Sequence, residues 1–361
     1  MLKTKPAVFA VDNEYQIMVP VTAPSLMWVK IGDQIFYDES NGIMRSIISV
    51  HRICVPMELL DACGSYTVCE KEIIERLPYF PTTKDTTEQT FRFYPVTDKA
   101  GIRAYHIADA HNLVTEPVNA ASAYGDFDFL IMNGDIPNHC GEIENLDTIF
   151  EIADKVTGGE KPIVFARGNH DLRGFYAEKM AEYTPSDNLN TYYTFRLGPV
   201  WGIILDCGED KDDSHPEYGF TVACHPFRRR QTEFIKSVIR NRENEYDAPG
   251  VKTKLVISHN PFTYLLKEPF DIEREIYSEW AKLLKDNVKP DLMISGHLHG
   301  VYVKLEGEDF DHLGQPCPLL VGSDKKGDYF VGAGIEIKND KFDIDITDSL
   351  KKTVQKFEIK R

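Results

Sequence analysis

The chain lacks the features of a membrane protein. None of its apolar runs is long enough to cross a bilayer, and no apolar segment typical of a signal peptide follows the basic start of the chain. We therefore expect a cytoplasmic protein that does not associate with membranes.

Paired cysteines are also missing. The seven cysteines are an odd number, they are scattered, and no C-x-x-C pair occurs. This usage argues against a disulfide framework or a zinc ribbon and favours reduced thiols in an intracellular protein.

Positive charge is scarce. The chain has 41 Lys and Arg against 57 Asp and Glu, a formal net charge of −16. It has no basic track, which counts against binding of long nucleic acids. An acidic protein can still bind a phosphate group where positive charge is concentrated locally, and a metal site would supply that charge.

The remaining composition is that of a globular protein. Its 361 residues, 42% of them apolar and 27% charged, suffice for one large domain and one small domain. Closely spaced strand-like segments predict a β-sandwich over residues 1–97. Residues 81–98 are polar and predict a long loop or linker. Strand-like and helix-like segments alternate from Ile102 onward, which predicts an α/β domain over residues 98–361.

Five polar clusters follow five predicted strands. They are Asp109-Ala110-His111, Gly134-Asp135, Gly168-Asn169-His170-Asp171, His259-Asn260 and Gly296-His297-Leu298-His299. The C-terminal edge of an α/β sheet is where functional sites form. Taken singly, Asp109 and Asp135 could be helix N-caps, Asn169 could stabilise a turn and His259 could be a core histidine. Because five such clusters coincide with five strands, we favour a shared site with metal ligands.

These residues, in this order, resemble the calcineurin-like metallophosphoesterases, whose signature is D-x-H, G-D, G-N-H-[DE], H and G-H-x-H. The resemblance covers roughly residues 100–340. It implies a four-layered αββα sandwich with two mixed sheets. The strand-rich N-terminus is similar to the fibronectin-like domain that precedes the catalytic domain of purple acid phosphatase relatives.

The resemblance also implies two metal ions. By the family pattern, the first would take Asp109, His111 and His299, the second would take Asn169, His259 and His297, and Asp135 would bridge both. Carboxylate, amide and imidazole ligands suit manganese, iron or zinc. Purple acid phosphatases replace the histidine of D-x-H and carry a tyrosine after G-D. Here His111 is present and Asn138 stands where that tyrosine would be, so we expect no tyrosinate chromophore.

The implied activity is hydrolysis of a phosphate monoester or diester, in which a hydroxide bridging the metals attacks phosphorus. His170 would assist as a catalytic residue and Asp171 would orient it. Arg167, Arg173 and Tyr176 flank this cluster and are candidate contacts for a small phosphorylated substrate. The polar loop over residues 206–220 could overhang the site or be a solvated loop.

Two alternatives stay open. Nuclease activity belongs to the same class, although the acidic charge counts against it. A non-catalytic module that binds a phosphate ligand or a partner on this fold is the alternative outside the class. Such a module would tolerate loss of ligands, whereas here the seven proposed ligands and His170 are all present.

Overall fold

The computed structural model describes residues 2–39 and 42–361. Within these residues the strands are β1 (Ala7–Val11), β2 (Glu14–Pro20), β3 (Ser25–Ile31), β4 (Gln34–Tyr37), β5 (Val50–Pro56), β6 (Ser65–Glu75), β7 (Thr82–Thr83), β8 (Thr87–Arg92), β9 (Ile102–Ile107), β10 (Phe129–Asn133), β11 (Pro162–Ala166), β12 (Tyr193–Leu197), β13 (Val200–Leu205), β14 (Thr253–Ser258), β15 (Leu292–Ser295), β16 (Gly300–Lys304), β17 (Leu319–Lys326), β18 (Tyr329–Ile337), β19 (Lys341–Asp348) and β20 (Thr353–Lys360). The α-helices are α1 (Met57–Cys63), α2 (Thr115–Tyr124), α3 (Asp147–Thr157), α4 (Met180–Tyr183), α5 (Cys224–Arg240) and α6 (Arg274–Leu283).

The strands that carry the site belong to one large mixed sheet with two halves. Its order is β12-β13-β14-β15-β17-β18-β9-β10-β11-β1-β2-β5, with β16, β19 and β20 attached at the side. Strand β17 joins the halves, because Met293 to Ser295 of β15 pair with its start and Tyr329 to Val331 of β18 pair with its end. Strands β9, β10 and β11 run parallel in one half, and β13, β14 and β15 run parallel in the other.

The alternation of side chains along single strands reveals the layers. On β10, Phe129 faces a central core and Leu130 faces an outer core that is covered by α2 and α3. On β14, Leu255 faces the same central core and Val256 faces a second outer core under α5 and α6. Two sheet halves therefore pack face to face with helices outside each, which confirms the predicted αββα sandwich.

The N-terminal region is built from strands apart from α1, as predicted. A second sheet has the order β4-β3-β6-β7, with β8 also paired to β6. Strand β1, however, pairs in parallel with β11, so β1, β2 and β5 extend the large sheet. The division of the chain at residues 97 and 98 stays a prediction.

The predicted loop at residues 81–98 is wrong in part. Strand β8 pairs with β6 along its whole length, and the ring of Phe91 stacks on Tyr66 at 5.4 Å between centroids. The reason is tertiary, because β8 alone presents one buried side chain and mostly exposed polar ones. Helices α1 and α2 were also missed. No helix among the described residues is both long and apolar enough to span a membrane.

Candidate metal centre

The five polar clusters lie at the C-terminal ends of five parallel strands. Asp109 follows β9, Asp135 follows β10, Asn169 follows β11, His259 follows β14 and His297 follows β15. The two halves of the sheet meet at this edge, since a Cβ on Gly134 after β10 would lie 2.6 Å from Nδ1 of His259 after β14. All seven predicted ligands belong to this one region.

The first cluster combines Asp109, His111 and His299. The Nε2 atoms of the two histidines lie 3.3 Å apart. Oδ1 of Asp109 lies 3.8 Å from Nε2 of His299. One ligand atom from each of the three residues falls within 4.8 Å of the others, which is the spacing expected of donors that share one metal ion.

The second cluster combines Asn169, His259 and His297. Oδ1 of Asn169 lies 3.0 Å from Nδ1 of His297. Nδ1–H of His259 donates to the carbonyl oxygen of Asn133 at 2.7 Å, which leaves the lone pair on Nε2. That Nε2 is buried and makes no hydrogen bond among the described residues. An unsatisfied buried imidazole nitrogen facing carboxylates fits a metal ligand.

Asp135 lies between the two clusters. Its Oδ2 is 3.1 Å from Nε2 of His259 and 4.0 Å from Nε2 of His111. Its Oδ1 accepts the backbone N–H of His170 at 2.9 Å. The carboxylate is therefore placed to contact ions on both sides.

The backbone is strained where it delivers the ligands. Asp109, His111, Asp135, His297 and His299 all have positive φ, between 44° and 68°. Such residues cost free energy unless the surrounding structure holds them, and they concentrate at functional sites.

Two glycines let the backbone come close to the carboxylates of the site. A Cβ on Gly296 would lie 2.7 Å from Oδ2 of Asp109, and a Cβ on Gly168 would lie 2.2 Å from Oδ1 of Asp135. The glycines of the signature are thus required because side chains would occupy the space of the carboxylates.

Burial dominates the electrostatics of the site. It raises the pKa of Asp109 to about 7, although His259 opposes the shift. It lowers the pKa of His111 to about 3 and the pKa of His297 to about 4. Burial also disfavours the charged form of His259, but Asp135 and Asp109 outweigh it and raise its pKa to about 10. The neutral imidazoles of His111 and His297 offer lone pairs. His259 would release its Nε2 proton to bind an ion, and the buried carboxylates need a positive charge, so the donor set suits divalent cations.

His170 lies beside the predicted ligands, with one ring nitrogen within 4.8 Å of ligand atoms of His111 and Asp135. Its Nε2 lies 4.0 Å from Oδ2 of Asp135. Its Nδ1–H donates to the carbonyl oxygen of Asn138 at 2.8 Å, and Nη1 of Arg173 donates to its Nε2 at 3.2 Å. The ring is therefore held in one tautomer with Nε2 toward the site.

The contacts of Asp171 are with the backbone. Its Oδ2 accepts the backbone N–H groups of Gly168 at 2.7 Å and Asp135 at 3.2 Å. Asp171 is fully buried and stabilises the two glycine loops, whereas Asn138 and Arg173 orient His170. The predicted role of Asp171 in orienting His170 stays a prediction, and its Oδ2 is engaged by backbone amides.

The three candidate substrate contacts lie in different surroundings. Arg173 approaches His170, but its Nε and Nη2 also form a fork with both oxygens of Glu209 at 3.0 Å. Arg167 pairs with buried Asp206 at 2.6 Å. The ring of Tyr176 packs in a T-shaped contact against the ring of Phe175, and its described contacts do not include a predicted ligand.

Sequence reasoning missed several functional neighbours. Asn133 and Asn138 act through carbonyl oxygens, which leave no signal in a residue pattern. Asp210 belongs to the polar loop at residues 206–220, and its Oδ2 lies 4.0 Å from Nε2 of His297. That loop therefore reaches the site. Arg228 is buried rather than on the surface and donates from Nε to the carbonyl oxygen of Cys207 at 2.6 Å.

Comparisons with known proteins agree with this arrangement. A purple acid phosphatase from yellow lupin (Lupinus luteus) seeds aligns with a TM-score of 0.62 at 13% identity, over 100% of this chain and 75% of that chain. A structure of PhoD aligns with a TM-score of 0.55 at 9% identity, over 99% of this chain and 88% of that chain. At these identities the likeness establishes the fold alone. No curated protein matches the sequence.

A family model gives the identification. The model for calcineurin-like phosphoesterase matches residues 102–301, more than half of the chain. That match, together with the candidate ligand groups, supports a phosphoester hydrolase with a metal site. The chain belongs to the calcineurin-like phosphoesterase family.

Proposed function

We propose that the protein is a dinuclear-metal hydrolase of small phosphate monoesters or diesters. The observation that carries the proposal is the buried, unbonded Nε2 of His259 facing Asp135 at 3.1 Å and Asp109 at 3.7 Å. The six other predicted donors around Asp135 are enough for three at each of two ions, which supports the dinuclear form of the proposal.

In this proposal Asp109, His111 and His299 hold one ion, and Asn169, His259 and His297 hold the other, with Asp135 between them. Manganese, iron and zinc all suit this donor set. Two such ions, when bound, lower the pKa of a shared water and neutralise the charge on the phosphate oxygens.

The protein residues then position and protonate the substrate. His170 presents Nε2 to the site. With Nδ1–H held by Asn138, Nε2 would accept a proton, and the doubly protonated ring, released by Arg173, would donate a hydrogen bond or that proton to an ester oxygen. Asn138 fixes the ring through Nδ1. Arg173 supports Nε2 from the other side, and its Nη1 could turn to a phosphate oxygen once substrate is present.

The test pairs metal content with hydrolysis. Protein loaded with manganese, iron or zinc would be assayed with para-nitrophenyl phosphate and with its bis-ester, as wild type and as Asp135→Asn. The matched control is Asp98→Asn, an exposed aspartate that pairs with Lys252. We expect about two metal ions per chain, with both metal content and hydrolysis reduced in Asp135→Asn and unchanged in Asp98→Asn.

The preferred ester would separate phosphomonoesterase from phosphodiesterase activity. A wild-type protein that takes up no metal and hydrolyses neither ester would refute the proposal and favour the non-catalytic binding module.

A further inference from the structure

The positively charged side chains beside the site are already neutralised. Nε of Arg167 lies 2.6 Å from Oδ2 of Asp206, which is fully buried. Arg173 forms its fork with Glu209, whose side chain is 1% exposed. Buried carboxylates held this closely compensate the guanidinium charges, so neither arginine supplies a free positive field.

The third cation nearby is compensated in the same way. Nζ of Lys211 lies 3.0 Å from Oδ1 of Asp210 and 3.1 Å from Oε2 of Glu217. The loop therefore brings more negative than positive charge to this side of the site. A substrate that carried a second phosphate or a carboxylate here would meet repulsion rather than attraction.

A small slot opens on the same side. It has a volume of about 40 Å³, room for about three carbon atoms, and shares His297 and Asp210 with the site. Most of the other side chains around it are apolar or aromatic, and they come from the segment after β14, from α6 and from the turn after β15: Asn260, Pro261, Phe262, Tyr264, Leu265, Leu266, Phe270, Ile272, Tyr277 and Leu298. A group that leaves the site past His297 would meet polar atoms at the entrance and side-chain carbon beyond them.

The walls of the slot differ in burial. The ring of Phe262 packs against the rings of Tyr277 and Trp280 at 5.9 and 5.7 Å between centroids, so the floor is fixed. Leu266 and Phe270 are half-buried and form the open side. Apolar surface beside a polar site, left partly open to water, is the pattern of a subsite for an apolar substituent.

We propose that the alcohol portion of the substrate is uncharged and apolar and that this slot holds it. The inference rests on the proposed function, because it assumes that the phosphate binds at the metal ligands. Each methylene group that enters the slot should tighten binding about 4-fold, from the transfer free energy of a buried methylene.

The experiment uses stable phosphonates as probes. Methyl-, ethyl- and propylphosphonate would be compared with 2-carboxyethylphosphonate as inhibitors of para-nitrophenyl phosphate hydrolysis by the manganese-loaded full chain. Calorimetry on the same protein gives dissociation constants that do not depend on turnover. We expect affinity to rise about 4-fold per methylene until the slot is filled, and the carboxylate to bind at least about 10-fold more weakly than propylphosphonate because of Asp210 and Glu217.

Substitutions in the walls of the slot test whether the apolar group binds there. Phe270→Ala and Leu266→Ala should each reduce the ratio of propyl- to methylphosphonate affinity. Phe80→Ala removes an aromatic ring that is 92% exposed and far along the chain from the slot, and should leave that ratio unchanged.

Failure of this inference can be distinguished from failure of the proposed function. An active enzyme with equal affinity for all the phosphonates, or with no penalty for the carboxylate, would overturn the inference and leave the hydrolase standing. The inference would also be overturned if affinity rose with chain length in both Phe270→Ala and Leu266→Ala as steeply as in the wild type. Protein that neither binds metal nor hydrolyses either ester would refute the proposed function itself.

Discussion

Gly168→Ala is the sharpest perturbation of the site, because it adds one carbon atom at the carboxylate between the two clusters. The added Cβ would lie 2.2 Å from Oδ1 of Asp135 and 2.5 Å from its backbone nitrogen. Ordinary van der Waals contact begins at 3.4 Å, so the atoms must separate by about 1.2 Å. A displacement of that size exceeds the tolerance of a preorganised site, which is roughly 0.5 Å.

We expect Gly168→Ala to lower kcat/KM by about 100-fold or more and to reduce the metal content. Overpacking should also cost about 1–3 kcal/mol of the free energy of unfolding. The displaced carboxylate would weaken its hydrogen bond from the backbone of His170, now 2.9 Å, so the ring would lose its position as well.

The assay measures metal content, hydrolysis of para-nitrophenyl phosphate and urea unfolding for each variant. Gly327→Ala is the matched control, since Gly327 also lies in a turn, at φ 60°, and a Cβ there meets no atom within 4 Å. It should lose about 1 kcal/mol of stability while metal content and activity stay unchanged. Wild-type metal content and activity in Gly168→Ala would refute the claim that this close approach positions the Asp135 carboxylate for the site.

Three further predictions test other contacts. Arg173→Ala and His170→Ala should be non-additive in kcat/KM, with a coupling of about 1–3 kcal/mol, because Nη1 of Arg173 acts through Nε2 of His170; additive losses in the double variant would contradict this. Burial raises the pKa of Asp12 to about 6. The folded state therefore keeps a proton that the unfolded state releases above about pH 4, and the free energy of unfolding falls as the pH rises through 6. Asp12→Asn should therefore be more stable than wild type by about 1–2 kcal/mol at pH 8 and equal to it at pH 4 in urea unfolding, and an equal gain at both pH values would contradict the assignment. Arg228→Ala should cost about 2–4 kcal/mol because it removes the donor to the buried carbonyl oxygens of Cys207 and Glu209. Arg229→Ala, at the next and exposed position, should have little effect; similar unfolding midpoints for the two variants would argue against a structural role for Arg228.

The order of the ligand clusters was available from the sequence. Apolar runs such as β10 and β15 predict buried strands, and each is followed at once by ligand-type residues such as Asp135 and His297. The edge of a sheet collects such residues by geometry, so the prediction of one shared site needed no knowledge of distant contacts.

Contacts made by carbonyl groups could not be predicted. Every residue has a carbonyl, and only the fold decides that those of Asn133 and Asn138 receive the protons of His259 and His170. The commitment of Asp171 to backbone amides was hidden for the same reason, since a carboxylate next to a histidine in sequence need not point toward it.

The strand pairings show the same limit. The residues of β1 predict a buried strand, but its position beside β11, rather than in a separate sandwich, depends on a pairing across more than 150 residues. Strand β8 carries polar residues and becomes a strand because the edge of β6 is open to it.

By itself, the sequence determined the fold class and the family and predicted the donor set, because strand periodicity and the order of ligand-type residues are local properties of the chain. The tertiary structure alone decided which cations are neutralised, which carbonyl groups hold the histidines and where an apolar wall stands beside them. Those features depend on distances between segments far apart in the chain, such as the 3.0 Å between Arg173 and Glu209, and no local pattern encodes them.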